Sequence, residues 1–184
     1  MNRMFRPLFA ATLLLFATAT AFAASKEEID AEVKEAIETL YKQSSAAKDL
    51  GGKAAGILVF PKVTKAGVAV GGEYGEGALL VGGKTSGYYN TAAGSIGFQL
   101  GVQQKSQVIM FMTQKELDKF LKQNNNGWKA GVDGSVALAT LGAGGQLDTE
   151  TAKKPIIGFI FSNKGLMYNL TFEGSKITKI DKDK

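Results

Sequence analysis

The 184-residue chain has no cysteine and no histidine, and its two arginines, Arg3 and Arg6, both fall within the first six residues. Each absence removes a class of function. Without cysteine there are no disulfides, even in a compartment that would permit them. Without cysteine and histidine the usual ligands of zinc, copper and haem are missing, so no metal and no cofactor is expected. The imidazole base of Ser-His-Asp and Cys-His catalysis is missing too. Without arginine beyond residue 6 there is no guanidinium fork to grip a phosphate or a guanine. Any catalysis would have to rest on carboxylates, lysine, serine or tyrosine.

The N-terminus reads in three parts. Arg3 and Arg6 precede an apolar run from Leu8 to Ala19, and Ala21-Phe22-Ala23 is an A-x-A cleavage signature. This is the pattern of a Sec-type signal peptide over residues 1–23, with Ala24 as the first mature residue and the periplasm as the expected location. The alternative is an uncleaved anchor, but the run is shorter than the about 20 apolar residues of a comfortable transmembrane helix. Having no cysteine to acylate, the chain is not a lipoprotein. Removing 23 residues leaves 161, one domain by length, 24–184. Twenty lysines against 17 acids then give a mature charge of +3. So weak a charge on an exported chain does not predict nucleic-acid binding.

Ser25 to about Leu50 has the pattern of one amphipathic helix. Ser25 and Glu28 have capping-box spacing, Ile29, Val33, Ala36, Ile37, Leu40 and Tyr41 share a face, and Gly51-Gly52 ends it. Short strands are expected over Gly56–Phe60 (stopped by Pro61), Ala66–Gly72, Gly77–Val81, Ser86–Ala92, Ser95–Val102 and Gln107–Thr113. A helix capped by Thr113 follows from about Gln114 to Lys122. Further strands are expected over Gly131–Thr140, Pro155–Phe161, Leu166–Phe172 and Lys176–Ile180, with Leu141–Lys154 mostly loop. Nine or ten strands with hairpin-length connections predict an α+β fold. Its sheet is antiparallel and strongly curved or barrel-like, with an N-terminal amphipathic helix and one inserted helix. The 23 glycines fit sharp bends and close backbone approaches in such a sheet. The rival, an outer-membrane barrel, needs longer strands and aromatic girdles.

Few motifs carry chemistry. Gly82-Gly83-Lys84-Thr85 resembles the end of a phosphate-binding loop, but the first glycine of that pattern is replaced by Ala78, and Tyr88-Tyr89 follows where a helix should begin. It reads as a Gly-Gly hairpin turn. Glu73, Glu76, Asp133 and Asp148 offer carboxylates for a glycosidase-type pair, against the simpler reading of exposed turn residues. Trp128, the only tryptophan, either lines a ligand pocket, meets a lipid interface, or plugs one end of the sheet core. Tyr74 is a second candidate for apolar ligand contact. Charge is uneven: residues 25–50 carry net −3 and residues 51–184 net +6. Lys53, Lys62, Lys65 and Lys84 flank expected strand ends and can form one basic surface, against the reading of ordinary solvated lysines.

From residue 54 onward the sequence resembles the SYLF domain family. The carriers are Ala55-Gly56-Ile57-Leu58-Val59-Phe60-Pro61-Lys62-Val63-Thr64-Lys65-Ala66-Gly67, then Gly71-Gly72-Glu73-Tyr74-Gly75-Glu76-Gly77, then Tyr88-Tyr89-Asn90, Gly94-Ser95-Ile96-Gly97-Phe98 and the segment from Gly165 to Gly174. The resemblance covers about residues 27–181. It implies a non-enzymatic lipid-binding domain. Eukaryotic relatives bind phosphoinositides and, in yeast, actin filaments, and a basic or amphipathic N-terminal segment contributes in membrane-binding members. Here that segment is acidic, so what the resemblance implies is a general affinity for lipid or another amphiphile. The expectation is a periplasmic lipid-binding or envelope-associated domain with a lipid or membrane surface as partner. The apolar face of the sheet would hold the lipid, and Lys62, Lys65 and Lys84 would meet its head group. The alternatives are a structural or protein-interaction module of the envelope, with no protein partner legible, and a carboxylate hydrolase.

Overall fold

The computed structural model describes residues 24–97, 102–123, 126–140, 147–167 and 170–182. The expected signal peptide, positions 98–101 of the strand expected over Ser95–Val102, and the loop glycines Gly142, Gly144 and Gly145 lie outside the described residues.

Helix α1, Lys26–Gln43, starts on the expected capping box: Glu28 N–H donates to Ser25 Oγ at 3.2 Å and Ser25 N–H to Glu28 Oε2 at 2.8 Å. Ile29, Val33, Ala36 and Leu40 form its buried stripe. The helix does not run on to Leu50. Ser44 turns to extended backbone, is buried, and its Oγ accepts from Ala47 N–H at 3.1 Å, starting a separate helix α2, Ser45–Gly51. A serine hydroxyl competes with the helical ladder for backbone donors, and apolar periodicity does not register that competition.

The three strands expected between Gly56 and Val81 are one, β1, Gly56–Val81. Pro61 does not stop it, because the missing N–H falls where the ladder register shifts, between Phe60 and Val63. The first half of β1 pairs antiparallel with β3, Gln103–Phe111, from Gly56↔Phe111 to Lys65↔Gln103. The second half pairs antiparallel with β2, Lys84–Gly97, from Ala69↔Gly97 to Val81↔Lys84. Between them the strand doubles back. Gly67 has φ +147°, and a Cβ there would stand 2.3 Å from Gly71 Cα. Farther along, a Cβ on Gly77 would stand 1.9 Å from the Val59 carbonyl oxygen. The two halves therefore cross with backbones nearly touching, which only glycine permits. A strand that passes from one wing of a sheet to the other through such a bend makes the corner of a curled sheet.

The remaining elements are α3 (Gln114–Gln123), β4 (Trp128–Lys129), β5 (Ala137–Leu138), α4 (Thr149–Ala152), β6 (Ile156–Ser162), β7 (Gly165–Leu166) and β8 (Lys176–Ile180). The sheet order is β4-β8-β2-β1-β3-β6-β5, with β7 paired to β6, and it curls into a half-barrel. The expected α+β class with a strongly curved sheet, an N-terminal helix and an inserted helix is the fold observed. One detail differs: β5 pairs parallel with β6, so the sheet is mixed. The strand expected over Gly131–Thr140 shrinks to β5. Gly131 at φ +87° donates to the Gly134 carbonyl and the Asp133 carboxylate accepts from Lys129 N–H, so turn chemistry takes the first residues.

Apolar residues fill both faces of the sheet. One face, with Val59, Ala78, Val108, Met110, Ile157 and Phe159, packs under the buried stripe of α1. The inner face, with Leu58, Phe60, Leu79, Ile109 and Phe111, packs on Leu117 and Phe120 of α3 and on Trp128. Burial on both faces explains the continuous apolar runs Val108–Phe111 and Ile156–Phe161, where a one-sided sheet would alternate. It also corrects the expectation that an apolar sheet face is free to hold an acyl chain: α1 covers one face and the inner core occupies the other.

Candidate lipid-contact surface

The three candidate head-group lysines do not form one patch. Lys62 and Lys65 lie in the first half of β1. Lys84 opens β2, after a turn in which Gly82 and Gly83 both have positive φ, the geometry of a tight two-residue hairpin. That places Lys84 at the end of the β1–β2 ladder opposite Ala69↔Gly97. Helix α1 stands between the two groups. Its Glu32 accepts a hydrogen bond from Lys62, and its Asp30 accepts from Thr85 Oγ1 at 2.9 Å and Tyr88 Oη at 3.0 Å. The Glu32 hydrogen bond, then its charge, raises the Lys62 ammonium above its ordinary value. Lys53 is exposed on the chain following α2.

The structure brings other lysines to Lys62 and Lys65. Lys105 of β3 is opposite Val63, and its ammonium lies 2.7 Å from Glu73, which Lys65 also approaches at 4.0 Å. A groove of about 540 Å³ opens between α1 and the β3–β6 side of the sheet, lined by Glu32, Glu35, Lys62, Lys105, Lys164 and Phe161 among others. Sequence reasoning missed Lys105 and Lys164, because they join the site only through strand pairing, and register is not written in a single strand.

The carboxylates have structural partners. Glu73 and Glu76 are in β1, not in an exposed turn. Glu73 holds the two lysines just named, and Glu76 accepts from Lys182 at 2.6 Å and Tyr74 Oη at 3.1 Å. Asp133 ties its turn, and Asp148 caps α4 by accepting from Thr151 N–H at 3.1 Å. Among the described residues no three acids converge on a metal-sized site.

Trp128 is 1 % exposed and meets Phe111 and Phe120 edge-on, with ring centroids 6.3 and 5.7 Å apart. Its ring belongs to the inner core, the plug reading, and presents no surface to a ligand. Tyr74 remains half exposed. Partial burial, then the Glu76 charge, pushes its phenol above the ordinary value. Exposed apolar side chains also occur where β1 doubles back: Val70, and Val102 just before β3. No helix among the described residues is long and apolar enough to cross a membrane.

No curated protein is matched by the chain. The family described as Las17-binding protein actin regulator, Ysc84, matches residues 92–183, half of the chain, from the end of β2 through β3, α3 and the C-terminal strands. That family is the SYLF domain, a group associated with lipid binding and with protein partners. With the match spanning half its length and the curled α+β sheet in place, the chain belongs to the Ysc84 (SYLF) family.

Proposed function

We propose that the chain is a periplasmic lipid-binding domain of the cell envelope, exported by a signal peptide at residues 1–23, which acts without catalysis. The observation that carries the reading is that Lys62 and Lys105 line one groove while Lys65 and Lys105 share Glu73, in a member of a family associated with lipids. Lys62 and Lys65 are the proposed head-group contacts in the first half of β1; Lys84 is a separate contact at the far hairpin. Glu32 and Glu73 offset part of the lysine charge, so attraction to an anionic surface is modest, about 1 kcal/mol per uncompensated lysine.

The test is co-sedimentation of residues 24–184 with neutral and anionic vesicles at low and high salt. Binding that Lys62→Ala, Lys65→Ala and Lys84→Ala together weaken supports the lysine contacts. Equal binding by the triple variant removes them, and no binding by the parent chain removes the lipid reading. A second reading, a protein-interaction module of the envelope, is favoured by the sheet being filled on both faces. It expects a specific partner in pull-downs and no affinity for vesicles.

A further inference from the structure

The end of the sheet where β1 doubles back carries two apolar side chains that the fold does not use. Val70 is 74 % exposed and Val102 is 69 % exposed. Strand pairing brings them to one end. Val70 is opposite Ile96, next to the last rung of the β1–β2 ladder, and Val102 directly precedes Gln103, the last rung of the β1–β3 ladder. The bend that presents Val70 is fixed by glycine: a Cβ on Gly71 would stand 2.3 Å from the Ala66 carbonyl oxygen, as one on Gly67 would collide with Gly71. A single exposed valine is ordinary; two at the same glycine-shaped end, with no charged residue in either segment, set that end apart.

Charge sets this end apart. No residue from Ala66 to Gly72, from Thr91 to Gly97 or from Val102 to Gln104 is charged. Behind this neutral cap Lys65 and Lys105 converge on Glu73, two ammonium groups on one carboxylate, with the Lys65 side chain 24 % exposed and the Lys105 side chain, at 9 %, mostly buried. Val132, another strongly exposed valine, stands between Asp133 and Gly131, which lies against Glu173, and is not part of the cap. A neutral apolar tip with a small positive excess set behind it matches the layering of a phospholipid surface, acyl chains below phosphates.

We propose that this end is the membrane-docking edge. Val70 and Val102 enter the boundary between head groups and acyl chains, and Lys65 lies at the level of the phosphates. The proposal rests on the lipid-binding reading above and names the surface that performs it. Because Glu73 cancels one of the two lysine charges, apolar insertion dominates, and binding persists in neutral vesicles and at high salt.

The absence of cysteine makes the test clean. Val70→Cys, Val102→Cys and Ala152→Cys each carry one environment-sensitive fluorophore. Ala152 is exposed on α4, which precedes the end of β6 that pairs with Phe111, away from Gln103. With phosphatidylcholine vesicles, with or without phosphatidylglycerol, the probes at 70 and 102 shift to the blue and the probe at 152 does not. The double variant Val70→Asp and Val102→Asp sediments with vesicles at least tenfold more weakly. If the parent chain sediments but the probes at 70 and 102 stay in water, or the double variant binds as the parent does, the docking edge is wrong and the lipid reading stands. If the parent chain binds no vesicles, both fall. A blue shift that depends on protein concentration without vesicles assigns the patch to a second copy of the chain and overturns the proposal.

Discussion

Lys182 Nζ donates to Glu76 Oε2 at 2.6 Å and to the Ala24 carbonyl at 3.0 Å, so one ammonium ties the second half of β1 to both ends of the described chain. Both charged side chains are mostly buried, at 9 % and 15 % exposure. Glu76→Ala leaves Lys182 without its carboxylate, and a loss of about 2 kcal/mol is expected, in the range of a hydrogen bond between charged groups. Urea unfolding of both single variants and the double variant measures it. A coupling near zero would show that the contact contributes nothing.

The crossing of the two halves of β1 depends on Gly77. Gly77→Ala would drive a methyl into the Val59 carbonyl oxygen, which is backbone and cannot swing aside. A loss of about 3 kcal/mol or failure to fold is expected. Gly94→Ala is the control, since nothing lies within 4 Å of its Cβ position, and it should change stability by less than about 0.5 kcal/mol. Thermal melts of the two variants side by side decide the matter, and equal melting would refute the close crossing.

Tyr88 sets an alkaline limit. Burial, then the hydrogen bond to Asp30 and its charge, raises the Tyr88 phenol, and Tyr41 and Tyr74 move the same way. A phenol raised on folding holds its proton more tightly in the native state. The stability it contributes is complete below the unfolded value of about 10 and is lost as pH rises through the folded value. Tyr88→Phe should cost about 1 kcal/mol at neutral pH and make the decline above pH ~10 shallower. A variant with an unchanged alkaline profile would assign that decline elsewhere.

Trp128 reports on the core, not on a ligand. With its ring enclosed by Phe111 and Phe120, its emission should be that of a buried indole, and vesicles should leave it unchanged. Trp128→Ala should cost about 3–5 kcal/mol, the usual loss for a buried aromatic. A vesicle-induced shift of the native emission would return Trp128 to the lipid-contacting surface.

The helix cap of α1 is a local test. Ser25→Ala removes the acceptor for Glu28 N–H and should lower stability by about 1 kcal/mol. Circular dichroism of the melt measures it, with Ser25→Asp restoring most of the loss because a carboxylate caps the same donor.

What the sequence settled by itself was local. Ser25 with Glu28, the stripe from Ile29 to Leu40 and the helix begun at Thr113 are set by residues a few positions apart, and local pattern contains them. Composition likewise removed histidine- and cysteine-based chemistry before any fold was known. The tertiary structure decided whatever depends on residues far apart in the chain. Pro61 passes through β1 because the bulge lies opposite β3, and Gly67, Gly71 and Gly77 are needed because β1 crosses itself. Lys105 is brought to the Lys62 groove and to the Glu73 that Lys65 approaches while Lys84 is left behind, because pairing register assigns neighbours and a strand's own residues do not state it. Val70 and Val102 lie at one end of the sheet for the same reason: thirty-two positions separate them in sequence, and only the two ladders that end there place them at the same end.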